Sequence, residues 1–254
     1  MTFIILFSFV GSVSASGGGD SSAFTPFSTP VLVGSQSGLE AALLLSDVHI
    51  TLTGDFDITS PVSVPDGTVA TIDGGYTISV ISGVGLIVQS GGELTLADVT
   101  IQGNPTPTPG DSTGLVIEFG GEATITDGTL ISGFNNSGVQ TQGGSFIMKG
   151  GEVSGNRAWS GGGVNISVGG GAAGSFTMNG GTISSNVAYR GGGVSVTGNF
   201  IMRGGTIKDN RGQGDGGGVA LNGGTFTMYD GEISGNTAGT GGGVHTWSAS
   251  AFTM

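Results

Sequence analysis

The chain has 254 residues, of which 55 are glycine and none is cysteine, and 18 carboxylates oppose 6 basic residues for a formal net charge of −12. That acidic balance excludes the electrostatic footprint of a nucleic-acid binder or of a protein held on an anionic membrane surface, and the lack of cysteine excludes a disulfide scaffold. Aperiodic glycine at this density predicts disorder, but here glycine recurs at fixed offsets, which points to a repeat fold.

In chain order, residues 1–15 are apolar from Phe3 to Val10 and then small as far as Ala15. This predicts a secretory signal peptide with Val13 and Ala15 as its cleavage pattern, too short to span a bilayer as a helix. Residues 16–36, rich in glycine, serine and proline, read as a flexible linker. Residues 37–46, with Leu39-Glu40-Ala41-Ala42-Leu43-Leu44-Leu45 and a serine N-cap, predict a helix. It is expected to cover the open N-terminal end of the solenoid that follows.

From 47 to 144 the chain shows degenerate coils. Ile50-Thr51-Leu52, Phe56-Asp57-Ile58 and Val69-Ala70-Thr71-Ile72-Asp73 alternate as strands do, and Pro105 to Pro109 reads as a loop bulging from one coil. Leu94-Thr95-Leu96 and Ala123-Thr124-Ile125 stand where a stricter motif stands later.

Regular coils occupy 145–254. The sequence reads SFIMKGGEVSGNRAWSGGGV from Ser145, SFTMNGGTISSNVAYRGGGV from Ser175, NFIMRGGTIKDNRGQGDGGGV from Asn199 and TFTMYDGEISGNTAGTGGGV from Thr225. Phe146, Phe176, Phe200, Phe226 and Phe252 follow one another in steps of 30, 24, 26 and 26 residues. A period in this range marks a stacked architecture, and no helical periodicity fills it. Each unit holds three short strand-like runs, the composition of one β-helix coil. Because side chains alternate along a strand, Phe and Met of F-[TI]-M share the inward face. Stacking then predicts columns of Phe146, Phe176, Phe200 and Phe226, of Met148, Met178, Met202 and Met228, and of Val153, Ile183, Ile207 and Ile233. Val164, Val194, Val219 and Val244 form a fourth.

Asn156, Asn186, Asn210 and Asn236 each follow the Val or Ile of the second run by three residues. Stacked amides at one offset predict an asparagine ladder along the axis. The glycine pairs and triplets, Gly161–Gly163 and its equivalents, read as coil corners. They are not a phosphate loop, which would need a following helix. The expected fold is all-β: a right-handed single-stranded parallel β-helix of about eight coils, roughly 40 Å long at ~4.8 Å per coil, with a short N-terminal capping helix.

The units F-T-M-x-G-G-x-I-S-x-N and G-G-G-V resemble the repeats of bacterial cell-surface adhesin-like proteins with a right-handed parallel β-helix. They are more distantly similar to the GGA[ILV] and FxxN repeats of chlamydial polymorphic outer-membrane proteins. Leu39 to Gly75, ending in Thr71-Ile72-Asp73-Gly74-Gly75, is similar to the opening of pectin-lyase-like β-helices. The resemblance covers most of the chain and implies a surface passenger or a polysaccharide lyase or hydrolase. The strict GGA[ILV] tetrapeptide and an outer-membrane barrel pattern are absent from the sequence.

A pectate-lyase reading would require stacked carboxylates to give calcium its six to eight oxygens. Asp209, Asp215 and Asp230 come nearest and sit at unrelated offsets, as solvated turn residues do. The acid signatures of a polygalacturonase are missing, and His49 and His245 stand at opposite ends of the rod, His245 in an outward register. Lys149, Arg157, Arg190, Arg203, Lys208 and Arg211 read as solubilising turn charges, with a patch for acidic glycans as the alternative. Trp159 and Tyr189, between ladder asparagine and glycine triplet, are the candidate glycan contacts; Tyr229 is a further exposed aromatic. The outward series Ile147, Thr177, Ile201, Thr227, Thr253 is the one feature suggesting an ice-binding face.

The expected function is that of a secreted or cell-surface, adhesin-like structural passenger with no catalytic site, metal or cofactor. Its expected partners are host-surface or matrix glycans or proteins, not nucleic acid, and it has no membrane span of its own. Since Phe252-Thr253-Met254 opens a new coil, an anchoring region is expected beyond residue 254. A polysaccharide lyase or hydrolase, and third an ice-binding β-helix, are the alternatives.

Overall fold

The computed structural model describes residues 29–104, 112–247 and 249–254. The expected signal peptide, most of the expected linker and the Pro105–Pro109 loop lie outside the described residues. Parallel strands stack as a β-solenoid of about eight turns with one short helix. The described strands make a 16-stranded, a 9-stranded and a three-stranded sheet. The largest carries two files of strands: the F-x-M runs and the runs that follow the glycine pairs. In Asn199–Lys208 and Thr225–Ser234 these fuse into single ten-residue strands.

Registers follow the repeat. Phe146 pairs with Phe176, Phe176 with Phe200, Phe200 with Phe226 and Phe226 with Phe252. Met148, Met178 and Met202 are in register beside them and fully buried. In the degenerate coils Ala70, Leu94 and Ala123 hold the Phe position, so smaller side chains continue the same column. The phenylalanine rings stack face to face, with centroids 5.0, 4.8, 4.4 and 4.9 Å apart from Phe146 to Phe252. Burying side chains of this size contributes about 1.5–3 kcal/mol each, so the core is stabilised coil by coil.

The four asparagines hydrogen-bond in a ladder along the axis, and the middle rungs are fully satisfied within it. Asn186 Nδ2 donates backward to Val153 O at 2.9 Å and forward to Asn210 Oδ1 at 3.0 Å. Its Oδ1 accepts from Asn156 N at 2.9 Å and Asn156 Nδ2 at 3.0 Å. Both donors and both lone pairs are therefore used. Asn210 repeats the pattern toward Asn236. The coil before the ladder places Phe134 at this position, its backbone N–H donating to Asn156 Oδ1 at 3.1 Å.

The glycine triplets make room for the ladder. A Cβ on Gly193 would lie 2.6 Å from Gly218 O and 3.0 Å from Asn210 Nδ2, and one on Gly192 would lie 2.6 Å from Gly217 O and from the carbonyl carbon of Arg211. Since the nearest of these neighbours, Gly218 O, Gly217 O and the Arg211 carbonyl carbon, are backbone of the next coil, no rotamer relieves the clash. Gly192→Ala is expected to lower stability by about 1–3 kcal/mol, read as a fall in thermal midpoint with the strand content retained.

Three expectations need correction. The expected linker 16–36 is partly coil: Val31–Val33 pairs with Ile50–Leu52, because alternation in Val-Leu-Val offers Val33 to the core. The helix spans Gln36–Ala42, not 37–46, with Ser35 as the N-cap accepting from Gly38 N at 3.2 Å. Leu44 and Leu45 are exposed, since the chain leaves the helix after Leu43 to enter the strand at Asp47. The helix does lie over the first coil: Leu39, Ala42 and Leu43 join the core, and Gln36 Nε2 donates to Ser60 Oγ at 2.8 Å.

The third correction bears on function. The units from Ser145, Ser175 and Asn199 carry a strand beyond the three expected runs, because in them the stretch after the ladder asparagine is itself a strand. Arg157–Ser160, Val187–Arg190 and Arg211–Asp215 form the three-stranded sheet. Its inward residues are Ala158, Ala188 and Gly212, too small to give the hydrophobic alternation that marks a strand in sequence.

Candidate functional site

The outer face of this third sheet is built by register. Arg157 stands beside Val187 and Val187 beside Arg211, and Ala158 stands beside Ala188 and Ala188 beside Gly212. With the small residues turned in, alternation turns Arg157 and Trp159, Val187 and Tyr189, and Arg211 and Gln213 outward. Trp159 is 68% exposed and Tyr189 39%. Their rings stack at 4.6 Å with an interplanar angle of 11°, the consequence of equivalent positions on adjacent parallel coils.

The next coil breaks the pattern. Arg211-Gly212-Gln213-Gly214-Asp215 has one residue more between asparagine and glycine triplet than the other three units, and the register shifts opposite Ala188 and Arg190. Gly214 then lies beneath Tyr189, where a Cβ would come 3.1 Å from the ring carbon Cζ. Beyond it Arg211, Gly212, Gln213, Thr237, Ala238 and Gly239 line a shallow trough of about 390 Å³. An aromatic pair, two arginines and a floor of small residues thus share one face.

Among the candidate residues, Trp159 and Tyr189 are brought together on this face. The ladder and column residues Asn156, Asn186, Asn210, Phe146, Phe176, Phe200 and Phe226 are enclosed elsewhere in the coil, Asn236 is half-buried, and together they hold the scaffold. The trough and the bulge were missed by sequence reading. The extra residue in the Asn210 unit was the available signal, because an insertion opposite a regular strand forces a bulge.

Other polar side chains pair locally at separate places. His49 Nε2 lies 2.6 Å from Asp73 Oδ2, and Thr51 Oγ1 donates to Asp73 Oδ1 at 2.8 Å, on the N-terminal coils. This grouping was also missed; it arises because Thr51 is in register with Asp73. At the other end Thr240 bonds Asp215, and its hydroxyl lies 3.4 Å from His245 Nδ1. Asp230 accepts from the backbone N of Gly231 at 2.7 Å, and Asp209 occupies an exposed corner. Asp209, Asp215 and Asp230 therefore do not converge. Among the described residues no group of three or more His, Asp or Glu is placed to hold a metal ion.

The register of His245 behaves differently from the expectation of an open outward row. It continues Asn165, Ser195 and Ala220 as read, yet Ser195 and Ala220 are buried. The glycine triplets fold the chain over them: a Cβ on Gly216 would meet Ala220 Cβ at 2.7 Å. His245, in the last coil, is half-buried, its ring edge-on to Trp247 at 4.5 Å. The face of Tyr229 is covered by the Arg203 guanidinium at 4.9 Å, and Trp247 by Arg190 at 5.2 Å. Trp159 and Tyr189 differ in that, among the described residues, no cation covers them.

The outward register of the first file is longer than the sequence suggested, running Thr71, Thr95, Thr124, Ile147, Thr177, Ile201, Thr227, Thr253, with Thr124 itself buried. Glu93 and Glu122 flank it in register on one side. Charges beside a single column interrupt the flat apolar lattice that an ice face would need.

No family model matches the chain, and neither the curated proteins nor the solved structures give a match. No helix of the described residues is long and apolar enough to cross a membrane.

Proposed function

We propose that this chain is a secreted or cell-surface β-helical passenger that holds variable outer faces on a uniform rod for adhesion, with no catalytic centre of its own. One observation carries the reading. The inward columns and the ladder repeat from coil to coil, whereas the outer stretch between asparagine and glycine triplet changes every time. It reads Arg-Ala-Trp-Ser, Val-Ala-Tyr-Arg, Arg-Gly-Gln-Gly-Asp and Thr-Ala-Gly-Thr. A scaffold that varies at one exposed strip of each coil suits recognition, because loops and faces can change without disturbing the core. The pattern of residues 1–15 supports export, and the repeat resemblance supports a surface role. The dispersal of His49, Asp73, Asp215 and His245 into separate pairs supports a non-catalytic reading, since acid–base chemistry needs its groups within hydrogen-bond reach of one substrate.

The test is twofold. The purified chain incubated with polygalacturonate and alginate is expected to release neither unsaturated uronates nor new reducing ends. Impermeant labelling of intact cells that express the protein is expected to reach it. Release of either product, or label excluded until the cells are lysed, would overturn the proposal.

A further inference from the structure

The third sheet carries a more specific assignment, which rests on the passenger reading. We infer that its outer strip is a binding site for an anionic polysaccharide. Trp159 offers a ring face to a sugar, Tyr189 its hydroxyl, Arg157 and Arg211 pair with the sulfates or carboxylates, and the chain continues into the trough beside Arg211.

Charge distribution is the first support. Thirteen of the eighteen carboxylates precede Lys149, and all six basic residues lie from Lys149 to Arg211. An acidic polymer is therefore repelled by the N-terminal coils and admitted only along the later ones. Within those coils Arg190 and Arg203 are engaged over Trp247 and Tyr229. Arg157 and Arg211 have no such cover, and the one ion pair among the described residues joins His49 to Asp73 instead. They stand two coils apart, roughly 9.6 Å along the axis, close to the advance of a disaccharide repeat. Arginine matches carboxylate and sulfate oxygens with two parallel donors.

The aromatic pair is the second support. Tyr189 is backed on one side by Trp159 and on the other by Gly214, so its ring is held without a side chain beneath it. Trp159 has one covered face and remains 68% exposed. Exposed apolar area of that kind, held rigid and edged by polar donors, suits a sugar's C–H face with hydroxyls at its rim. Among the described residues neither the Trp159 indole N–H nor the Tyr189 hydroxyl has a hydrogen-bond partner within the chain, and the same holds for both guanidinium groups. The strip is thus a row of free donors with an apolar centre, complementary to an acceptor-rich anionic glycan. From Trp159 to Gly239 it spans three coil steps, about 14 Å.

The glycines give the third support. Gly214, against the Tyr189 ring, and Gly239 leave the floor bare where the two preceding coils carry Trp159 and Tyr189, beside the bulge of the Arg211 strand. A row that only solubilised the rod would not need its side chains removed at one end.

The test uses the full chain with three polymers: dextran sulfate, polygalacturonate and unmodified dextran. At least one charged polymer is expected to bind about tenfold or more tightly than dextran, with affinity falling as salt rises. Binding of dextran sulfate alone assigns a sulfate ligand, of polygalacturonate alone a carboxylate. R157Q/R211Q, and separately W159A, are each expected to weaken that binding about tenfold. K149Q/R203Q/K208Q, which removes three basic side chains elsewhere, should change it less than about threefold. In a W247F background the fluorescence of Trp159 should shift on binding. Equal binding of dextran, no binding of either charged polymer, or unchanged affinity in R157Q/R211Q and W159A would overturn the assignment, as would loss confined to K149Q/R203Q/K208Q. If the protein reaches the cell surface while these strip variants bind like the parent, the strip alone falls. If it does not, the passenger reading falls and the polymer measurements still judge the strip.

Discussion

Asn186→Asp is expected to destabilise the rod more than any other isosteric change in it. The substitution preserves size, so packing is not at issue. The carboxylate can still accept from Asn156 N and Nδ2, but the atom that donated now faces Val153 O and Asn210 Oδ1, about 3 Å away, as a second acceptor. Asn186 is 0% exposed, so water cannot intervene. Removing one partner from a buried, fully used network costs about 3–5 kcal/mol, a large part of the ~5–15 kcal/mol that holds a typical domain. Protonation restores one donor, so burial and the two facing oxygens raise the folded-state pKa of the new aspartate above its unfolded value of about 3.9. The folded state then binds the extra proton. The deficit should accordingly be smallest below that unfolded value and grow as pH rises through the folded one. Denaturant midpoints of Asn186→Asp near neutral pH and near pH 4 check this; equal midpoints at both, or a neutral-pH midpoint like the parent's, would refute the ladder as described. Asn236→Asp should cost less, because Asn236 is the last rung and is only half-buried.

Most of the scaffold was legible because a solenoid writes its third dimension into one. Once coils stack in register, equal offsets in sequence become neighbours in space, so the Phe, Met and Asn columns follow from counting alone. Thr124 beside Ile147, or Leu94 beside Ala123, came out as read for the same reason. What failed were stretches where the signal does not depend on the repeat. The strand Val187–Arg190 buries only Ala188 inward, so its hydrophobic alternation is too weak to announce a strand. Val31–Val33 is short and follows residues of linker composition, and its pairing with Ile50–Leu52 is a tertiary fact. The candidate site was half legible: Trp159 and Tyr189 could be placed on one stretch, but not the stack, since that requires the fourth strand. The trough was not read, because it exists through side chains that are missing and its one signal was the extra residue in the Asn210 unit.

The same stacking makes Phe200→Asp the second severe substitution, and it tests the core as Asn186→Asp tests the ladder. Phe200 is fully buried, with Phe176 at 4.8 Å on one side and Phe226 at 4.4 Å on the other. Truncating a buried phenylalanine costs about 3–5 kcal/mol. The aspartate adds an unpaired carboxylate between two aromatic faces, where neither ring supplies a hydrogen bond. In a globular core the void could be shared among neighbours on every side. Here each coil touches only those above and below it, so the damage is confined to three coils and is complete within them. Hydrogen exchange should therefore show Phe176, Phe200 and Phe226 strands losing protection together, while the coils from Asp47 to Leu96 keep theirs. Phe200→Leu separates size from charge: it leaves a smaller void and should lose only about 1–2 kcal/mol. If both variants melted like the parent chain, these side chains would not be inside, and the column would have to face solvent.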